Sequence, residues 1–346
     1  MSGSPTKRIN MSDVARAANV SRPTVSLVLG GNYSTAHISQ ETRERVLKAA
    51  SDLGYRRNAL AQAVKTGRSF TLGFVSLGVW TEYETLWLLG ALDEAEANGY
   101  TIKRYRLYNN PGDAQTIERI IEQQLDGMIA ADDSRSWATD IVNRQFAAYN
   151  IPLVWLDPQK PLHSGVRICP DHEGGSFAAI QHLATLGHRS VAFVGGIQGV
   201  GTGVPRLAGF ERAAREMGLK THTRWTDWGL ANFDIEDLMS QPDAPTAILC
   251  QSDPLALGTI QLLFRSGRRV PQDVSVVGYG DLANMAMMSP PLTTLHVPYT
   301  EMGRTAVERL LGLIQSPDTA SLDEEIVFPS PLVVRESTLA PTQAAL

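Results

Sequence analysis

The 346-residue sequence predicts a small all-α head followed by an α/β body built on parallel sheets. Three observations point there. Short helical patterns with explicit start signals fill the first 57 residues, and short apolar β-type runs alternate with helical stretches from Phe70 onward. The charge divides at the same place: residues 1–68 carry 11 Lys/Arg against 4 Asp/Glu, and the remainder carries 20 against 32. A basic head on an acidic body suggests that the head meets a polyanion and the body does not.

In the head, Ser12 stands before "DVARAANV", with Asp13 favourable in a first turn and Val14, Ala17 and Ala18 at helical spacing. Asn19 and Val20 break that pattern. Ser21 is a good N-cap for "RPTVSLVLG", and Pro23 in a first turn forfeits no helical hydrogen bond. Val25, Val28 and Leu29 form the inward stripe of this second helix, which Gly30-Gly31 ends. A third helix runs from Ser39 through "QETRERVLKAASDL" to a stop at Gly54, with Val46, Leu47, Ala50 and Leu53 as its apolar face. Two short helices across a tight turn, then a third, in a basic segment, make a helix-turn-helix pattern. The second helix presents Arg22, Pro23 and Leu27 outward, where a recognition helix meets base edges. Thr24 and Ser26 are placed for phosphate oxygens, which position without specifying sequence. The alternative is a helical cap packed on the body.

In the body, "FTLGFVSLG", "DGMIAA", "IPLVWLD", "SVAFVGG", "TAILCQSD" and "DVSVVGYGD" have the composition of buried strands. Helical stretches separate most of them, among them "LWLLGALDEAEANGY", "AQTIERIIEQQL", "FAAIQHLATLGH", "RLAGFERAAREMG" and "LALGTIQLLFRSG". Such alternation implies parallel sheets covered by helices, and ligands then bind outside the carboxyl ends of the strands. Those ends fall at Leu77-Gly78, Asp157, Gly195-Gly196, Ser252-Asp253 and Gly280-Asp281.

The rival to a binding body is an enzyme acting on a sugar or nucleotide, with the head only localising it. Its catalytic case is thin. "GGIQGVGTGV" lacks the Lys-Ser/Thr pair of a phosphate-binding loop, and Pro205 and Arg206 intervene before any helix opens, so a ligand-facing loop is expected. The seven histidines have no metal-ligand spacing, "DHE" at 171–173 fits a helix N-terminus, and no serine elbow occurs. Neither cofactor nor metal is expected. No window approaches 18 apolar residues, the N-terminus has no export signal, and Cys169 and Cys250 both sit in apolar runs. A cytoplasmic protein without membrane contact is the expectation.

At this point the residues carry a resemblance. Asp13-Val-Ala, Val20-Ser, Thr24-Val-Ser, Thr42-Arg, Leu53-Gly-Tyr and Asn58-Ala-Leu-Ala fall in order with the spacing of the DNA-binding head of the lactose-repressor family of bacterial transcription regulators. The body segments "LATLGHRSVAFVGG", "RLAGF", "CQSDPLALG", "RVPQDVSVVGYGDL" and "PPLTTLHVPYTEMGRTAVERLL" are similar to consecutive family segments, so the resemblance covers about residues 9–337. It implies a periplasmic-binding-protein-like effector domain: two lobes joined by three crossovers, with an effector in the cleft. The implied organisation is a head over 1–57, a hinge helix and linker over 58–68, and a body over 69–340. The lobes of that body would be about 69–168 plus 298–325, and about 169–297 plus 326–340.

The resemblance also implies site residues. Ser21, Arg22, Pro23, Thr24, Ser26 and Leu27 would face DNA, and the hinge would bring Asn58, Ala61 and Val64 to the minor groove. Leu27 stands where many members have Arg or another polar base reader; it can pack on a thymine methyl but cannot make the bidentate contact to guanine. Val64 stands where the family wedges a Leu. The implied cleft residues are Asp157, Arg206, Trp228, Ser252, Asp281 and Tyr299. Donors on Arg206, the acceptor Asp157 and the apolar faces of Trp228 and Tyr299 suit a sugar or related polar ligand. The plainer readings are an ion pair for Arg206 and core packing for the aromatics. The family usually has Asn where Ser252 stands and Asp where Gly280 stands, so one strong acceptor is lost beside Asp281. Trp80, Glu82 and Tyr83 lie near the first strand's end. The implied function is a repressor that binds a pseudo-palindromic operator as a homodimer and responds to a small effector. The tail "ESTLAPTQAAL" has no leucine heptads, so no tetramer-forming helix is expected.

Overall fold

The structure, a computed structural model, describes residues 9–30, 38–56, 67–77, 81–108, 110, 112–132, 137–158, 165–227, 230, 232–316 and 323–342. It divides into two compact units, Met1–Ser69 and Phe70–Leu346.

The first unit is all helical. Helix α1 (Met11–Ala18) starts on Asn10, not on Ser12 as the sequence suggests. The Asn10 side chain accepts from the N–H groups of Ser12 (2.8 Å) and Asp13 (3.3 Å), and Asp13 accepts from the Asn10 N–H (3.0 Å). This reciprocal box satisfies more of the helix's free donors than a lone serine would. Asn19, with φ 50°, turns the chain out in the left-handed region. Helix α2 (Arg22–Gly30) begins as expected, with Ser21 Oγ accepting from the Thr24 N–H at 3.3 Å. Helix α3 (Gln40–Asp52) is capped by Ser39 through the Thr42 N–H, also at 3.3 Å.

Val14, Ala15, Ala18, Val25, Val28, Val46, Ala49 and Ala50 form the core of this unit. Two expected stripe residues are corrected: Ala17 is exposed while Ala15 is buried, and Leu47 is 43 % exposed while Ala49 is buried. Each pair flanks its valine on opposite sides of the helix, so the neighbouring helices, not the spacing, decide which side widens the stripe. Arg45 Nε donates to the Ala18 carbonyl (3.2 Å), bringing a cation to the C-terminal end of α1, where it is favoured.

The second unit holds two six-stranded sheets, as the alternation predicts. The first contains β1 (Thr71–Leu77), β2 (Thr101–Leu107), β3 (Gly127–Asp132), β4 (Leu153–Leu156), β5 (Val166–Pro170) and β11 (Glu324–Phe328), in the order β11-β5-β4-β3-β1-β2. All its pairings are parallel. The second contains β6 (Ser190–Gly195), β7 (Lys220–Trp225), β8 (Ala247–Cys250), β9 (Ser275–Gly280), β10 (Thr293–His296) and β12 (Leu332–Val333), in the order β12-β10-β9-β8-β6-β7. Among the described residues of this sheet, β10–β12 is antiparallel and the other pairs are parallel.

Helices α4 (Glu82–Ala97), α5 (Asp113–Glu122), α6 (Trp137–Ala148), α7 (His172–Leu186), α8 (Gly203–Glu216), α9 (Ile235–Met239), α10 (Asp253–Arg265) and α11 (Tyr299–Gln315) connect or cover the strands. The chain passes from the first sheet to the second between β5 and α7. It returns between β10 and α11, which packs on α4, β3 and β4, and crosses once more between β11 and β12. One local expectation fails. Helix α8 begins at Gly203, so the glycine-rich loop does open a helix, with Pro205 and Arg206 inside its first turns. Proline there removes only an N–H that has no partner within the helix.

Candidate functional site

In the head, Ser21, Arg22 and Pro23 are exposed at the start of α2, and Thr24, Ser26 and Leu27 are half-buried behind them. The Ser21 and Thr24 hydroxyls lie 2.8 Å apart, so both serve the cap as well as facing outward. Asn58, Ala61 and Val64 lie outside the described residues.

In the body, the strand ends bring several implied residues together. Asp157 follows β4 with φ 48° and is 6 % exposed. Its Oδ1 lies 2.9 Å from His172 Nε2. Arg206 is 5 % exposed; its Nε donates to His172 Nδ1 at 3.1 Å, Nη1 donates to the Gln251 carbonyl, and its carbon Cζ lies 3.6 Å from the centre of the Tyr279 ring. Gln251 in turn accepts from the Gly196 N–H (2.7 Å) and donates to Thr202 (3.3 Å), which holds the loop before α8. A cavity of 510 Å³ opens beside Asp157 and His172 and is lined further by Pro170, Glu173, Val204, Pro205 and Glu325. That volume suits a small polar ligand.

A second cluster surrounds Gly280, whose φ of 138° admits other residues only under strain. A Cβ there would stand 3.2 Å from Asp253 Oδ2 and 3.4 Å from the Tyr299 hydroxyl. Asp253 is fully buried at the first turn of α10 and accepts from the Thr294 hydroxyl (2.5 Å) and the Leu282 N–H (2.9 Å); burial pushes its carboxyl above the usual carboxylate range. Tyr299 stacks on Tyr83 (5.7 Å, 25°) and meets Trp87 edge-on (5.7 Å, 73°). Burial drives its hydroxyl well above the ordinary tyrosine range, against the opposing charge of Arg206. Gly280 thus lies between Asp253 and the Tyr299 hydroxyl.

Two implied residues have other employment. Asp281 accepts from Arg335 Nη2 (2.6 Å) and lies 2.9 Å from His296 Nδ1, within the second lobe's own network. Ser252 caps α10 through the Leu255 N–H (3.5 Å). Trp228 and Trp80 lie outside the described residues. Glu82 accepts from the Ala283 N–H (3.4 Å), joining the start of α4 to the segment after β9. His172, Gln251 and Tyr279 escaped the sequence reading, and Asp253 entered it only as a strand end. Asp171 does cap α7 through the Gly174 N–H (2.8 Å), as "DHE" suggests, and that explanation hid the histidine beside it.

Among the described residues no group of three or more His, Cys, Asp or Glu could hold a metal ion. Burial pushes the Cys250 thiol up to about 12 and raises that of Cys169 as well, so neither offers a thiolate nucleophile at neutral pH.

Comparison with known proteins agrees with this division. Residues 10–58 match the family model of bacterial regulatory proteins, lacI family, and residues 180–338 match the periplasmic binding protein-like domain. The HTH-type transcriptional repressor PurR of Aliivibrio salmonicida is 31 % identical over 88 % of this chain and 91 % of its own. The lac repressor dimer bound to operator and the anti-inducer ONPF is 28 % identical, with a TM-score of 0.81 over 96 % of this chain and all of that one. A complex of the transcriptional regulator CelR with cellobiose is 27 % identical, with a TM-score of 0.70 over 95 % of this chain and all of that one. These relatives are DNA-binding regulators and not enzymes, and the chain belongs to the lacI family of bacterial regulatory proteins.

Proposed function

We propose that this lacI-family regulator is a repressor that binds a pseudo-palindromic operator as a homodimer and answers a sugar, or a related small polar effector, held between its lobes. The observation that carries the reading is a buried arginine, Arg206, hydrogen-bonded at the strand ends in the same chain as a basic helical head with Arg22 and Pro23 exposed on its second helix. In the relatives, the lac repressor dimer is bound to operator and CelR to cellobiose, which supports the two partner classes. Ser21, Arg22, Pro23, Thr24, Ser26 and Leu27 are the proposed DNA contacts of the head, with Asn58, Ala61 and Val64 in a hinge over 58–68. Asp157, Arg206, Trp228 and Tyr299 are the proposed effector contacts, and Asp157 and Arg206 both hydrogen-bond His172; Ser252 and Asp281 serve the fold first. Phe264 (79 % exposed) and Met287 (83 % exposed) leave apolar surface that a second copy would cover. No helix among the described residues is long and apolar enough to cross a membrane, and we place the protein in the cytoplasm.

The test is fluorescence anisotropy of the full chain with duplexes selected from a random-sequence pool. Binding is expected to weaken steeply with salt. Arg22→Ala should cost about 1–3 kcal/mol on the selected site and lower the salt slope by about one. Salt-insensitive binding that ignores Arg22→Ala would sink the DNA-reading role of α2.

A further inference from the structure

Three buried polar side chains stand in a row where the chain first crosses between the sheets. Asp157 follows β4 of the first sheet, while His172 opens α7 and Arg206 lies in the first turns of α8, both on the second. Their order fixes where the hydrogens are. Arg206 Nε can only donate, so His172 Nδ1, 3.1 Å away, is a bare acceptor. A neutral imidazole with a bare Nδ1 carries its hydrogen on Nε2, which faces Asp157 Oδ1 at 2.9 Å. The ring therefore donates to the first lobe and accepts from the second.

We propose that His172 is the positioning residue of the effector site: it aims the Arg206 guanidinium and, through Asp157, makes that aim depend on how the first lobe sits against the second. The inference rests on the reading of Arg206 as an effector contact. Nε is held by His172, Nη1 by the Gln251 carbonyl, and one face lies over Tyr279; Nη2 has no hydrogen-bond partner among the described residues. Its two N–H donors, with the second on Nη1, are left for a ligand. Gln251 and Tyr279 both belong to the second lobe, so among the described residues His172 supplies the guanidinium's hydrogen-bonded path to the first. A rigid ring with one donor and one acceptor transmits a shift of Asp157 directly to Nε. Glutamine offers the same pair of groups on a flexible stem, and leucine offers neither.

The experiment is solution NMR on the full chain labelled with ¹⁵N, with the His172 and Arg206 signals assigned from His172→Gln and Arg206→Lys. The wild-type ring is expected to show a bare Nδ1 and a protonated Nε2, and the Arg206 Nε–H should be protected from exchange with water. His172→Leu removes a hydrogen bond to a charged group and should speed that exchange by about tenfold or more. His172→Gln should restore most of the protection. A ring protonated on Nδ1, or Nε–H exchange unchanged in His172→Leu, overturns the proposal. If His172→Leu does not fold, the wild-type tautomer and the glutamine variant still decide. No effector enters either reading, so failure of sugars to bind would remove the effector reading and leave this test intact.

Discussion

His188 shows how much a single buried side chain controls. It is 1 % exposed, with Nδ1 2.7 Å from the Thr246 hydroxyl oxygen and Nε2 3.0 Å from the Leu339 carbonyl oxygen. Burial pushes its pKa down to about 4, because an imidazolium there would lose its water. The unfolded chain takes up that proton near pH ~6.5, so between about 6.5 and 4 only the unfolded state is protonated. The neutral ring's stabilising effect is full above pH ~6.5, falls as the pH drops, and is lost by about 4. The change is on the order of 3 kcal/mol at most. All six tryptophans lie between residues 80 and 228, so selectively excited tryptophan fluorescence follows the body alone. Urea midpoints at pH 7.5 and 5 should separate widely for the wild type and clearly less for His188→Asn. Equal separations would mean that other groups carry the acid sensitivity.

At the scale of elements, the buried strands were legible and the edges were not. The runs at β1, β3, β4, β6, β8 and β9 are apolar because helices cover both faces of a parallel sheet. Strands β2 ("TIKRYRL") and β7 ("KTHTRW") are edge strands, and their polar sequences carry no such run. The site was legible in the same uneven way. Arg206 and Asp157 could be placed by resemblance, whereas His172 matters only because a bond across 15 residues and another across 34 meet on its ring. The packing of α11 on α4 was invisible too, because it depends on two glycines. A Cβ on Gly303 would run into the Trp87 carbonyl, and one on Gly90 into the Thr300 carbonyl, both main-chain atoms that cannot swing aside. Gly303→Ala is expected to destabilise the body by about 1–3 kcal/mol, as overpacking does. Gly312 lies on the same helix with open space around it, so Gly312→Ala should stabilise by about 0.5–1 kcal/mol. Fluorescence-detected urea unfolding of the two variants checks both signs, and a neutral Gly303→Ala would mean that the two helices can part without loss.

For the whole molecule, the proposed function requires that a ligand in the body alter DNA binding by the head. An effector can shift that equilibrium only by its difference in affinity between the DNA-competent state and the other. Contacts confined to one lobe supply little difference, whereas contacts to both lobes supply one whenever the lobes move. Asp157 belongs to the first lobe and Arg206 to the second, and they already share His172, so a ligand bound to both would be sensitive to the lobes' relative position. Removing Arg206 should therefore erase the effector's influence rather than the head's grip. Arg206→Ala is expected to leave operator affinity within about threefold of the wild type, while the effector-induced change, typically about 5–150-fold in coupled systems, collapses to none. The measurement is anisotropy with the selected operator, with and without the sugar that most raises the wild-type melting temperature. A variant that keeps the wild-type response would place the effector elsewhere. A variant that loses operator binding along with the response would show that Arg206 holds the DNA-competent arrangement itself, with the ligand acting by prising it apart.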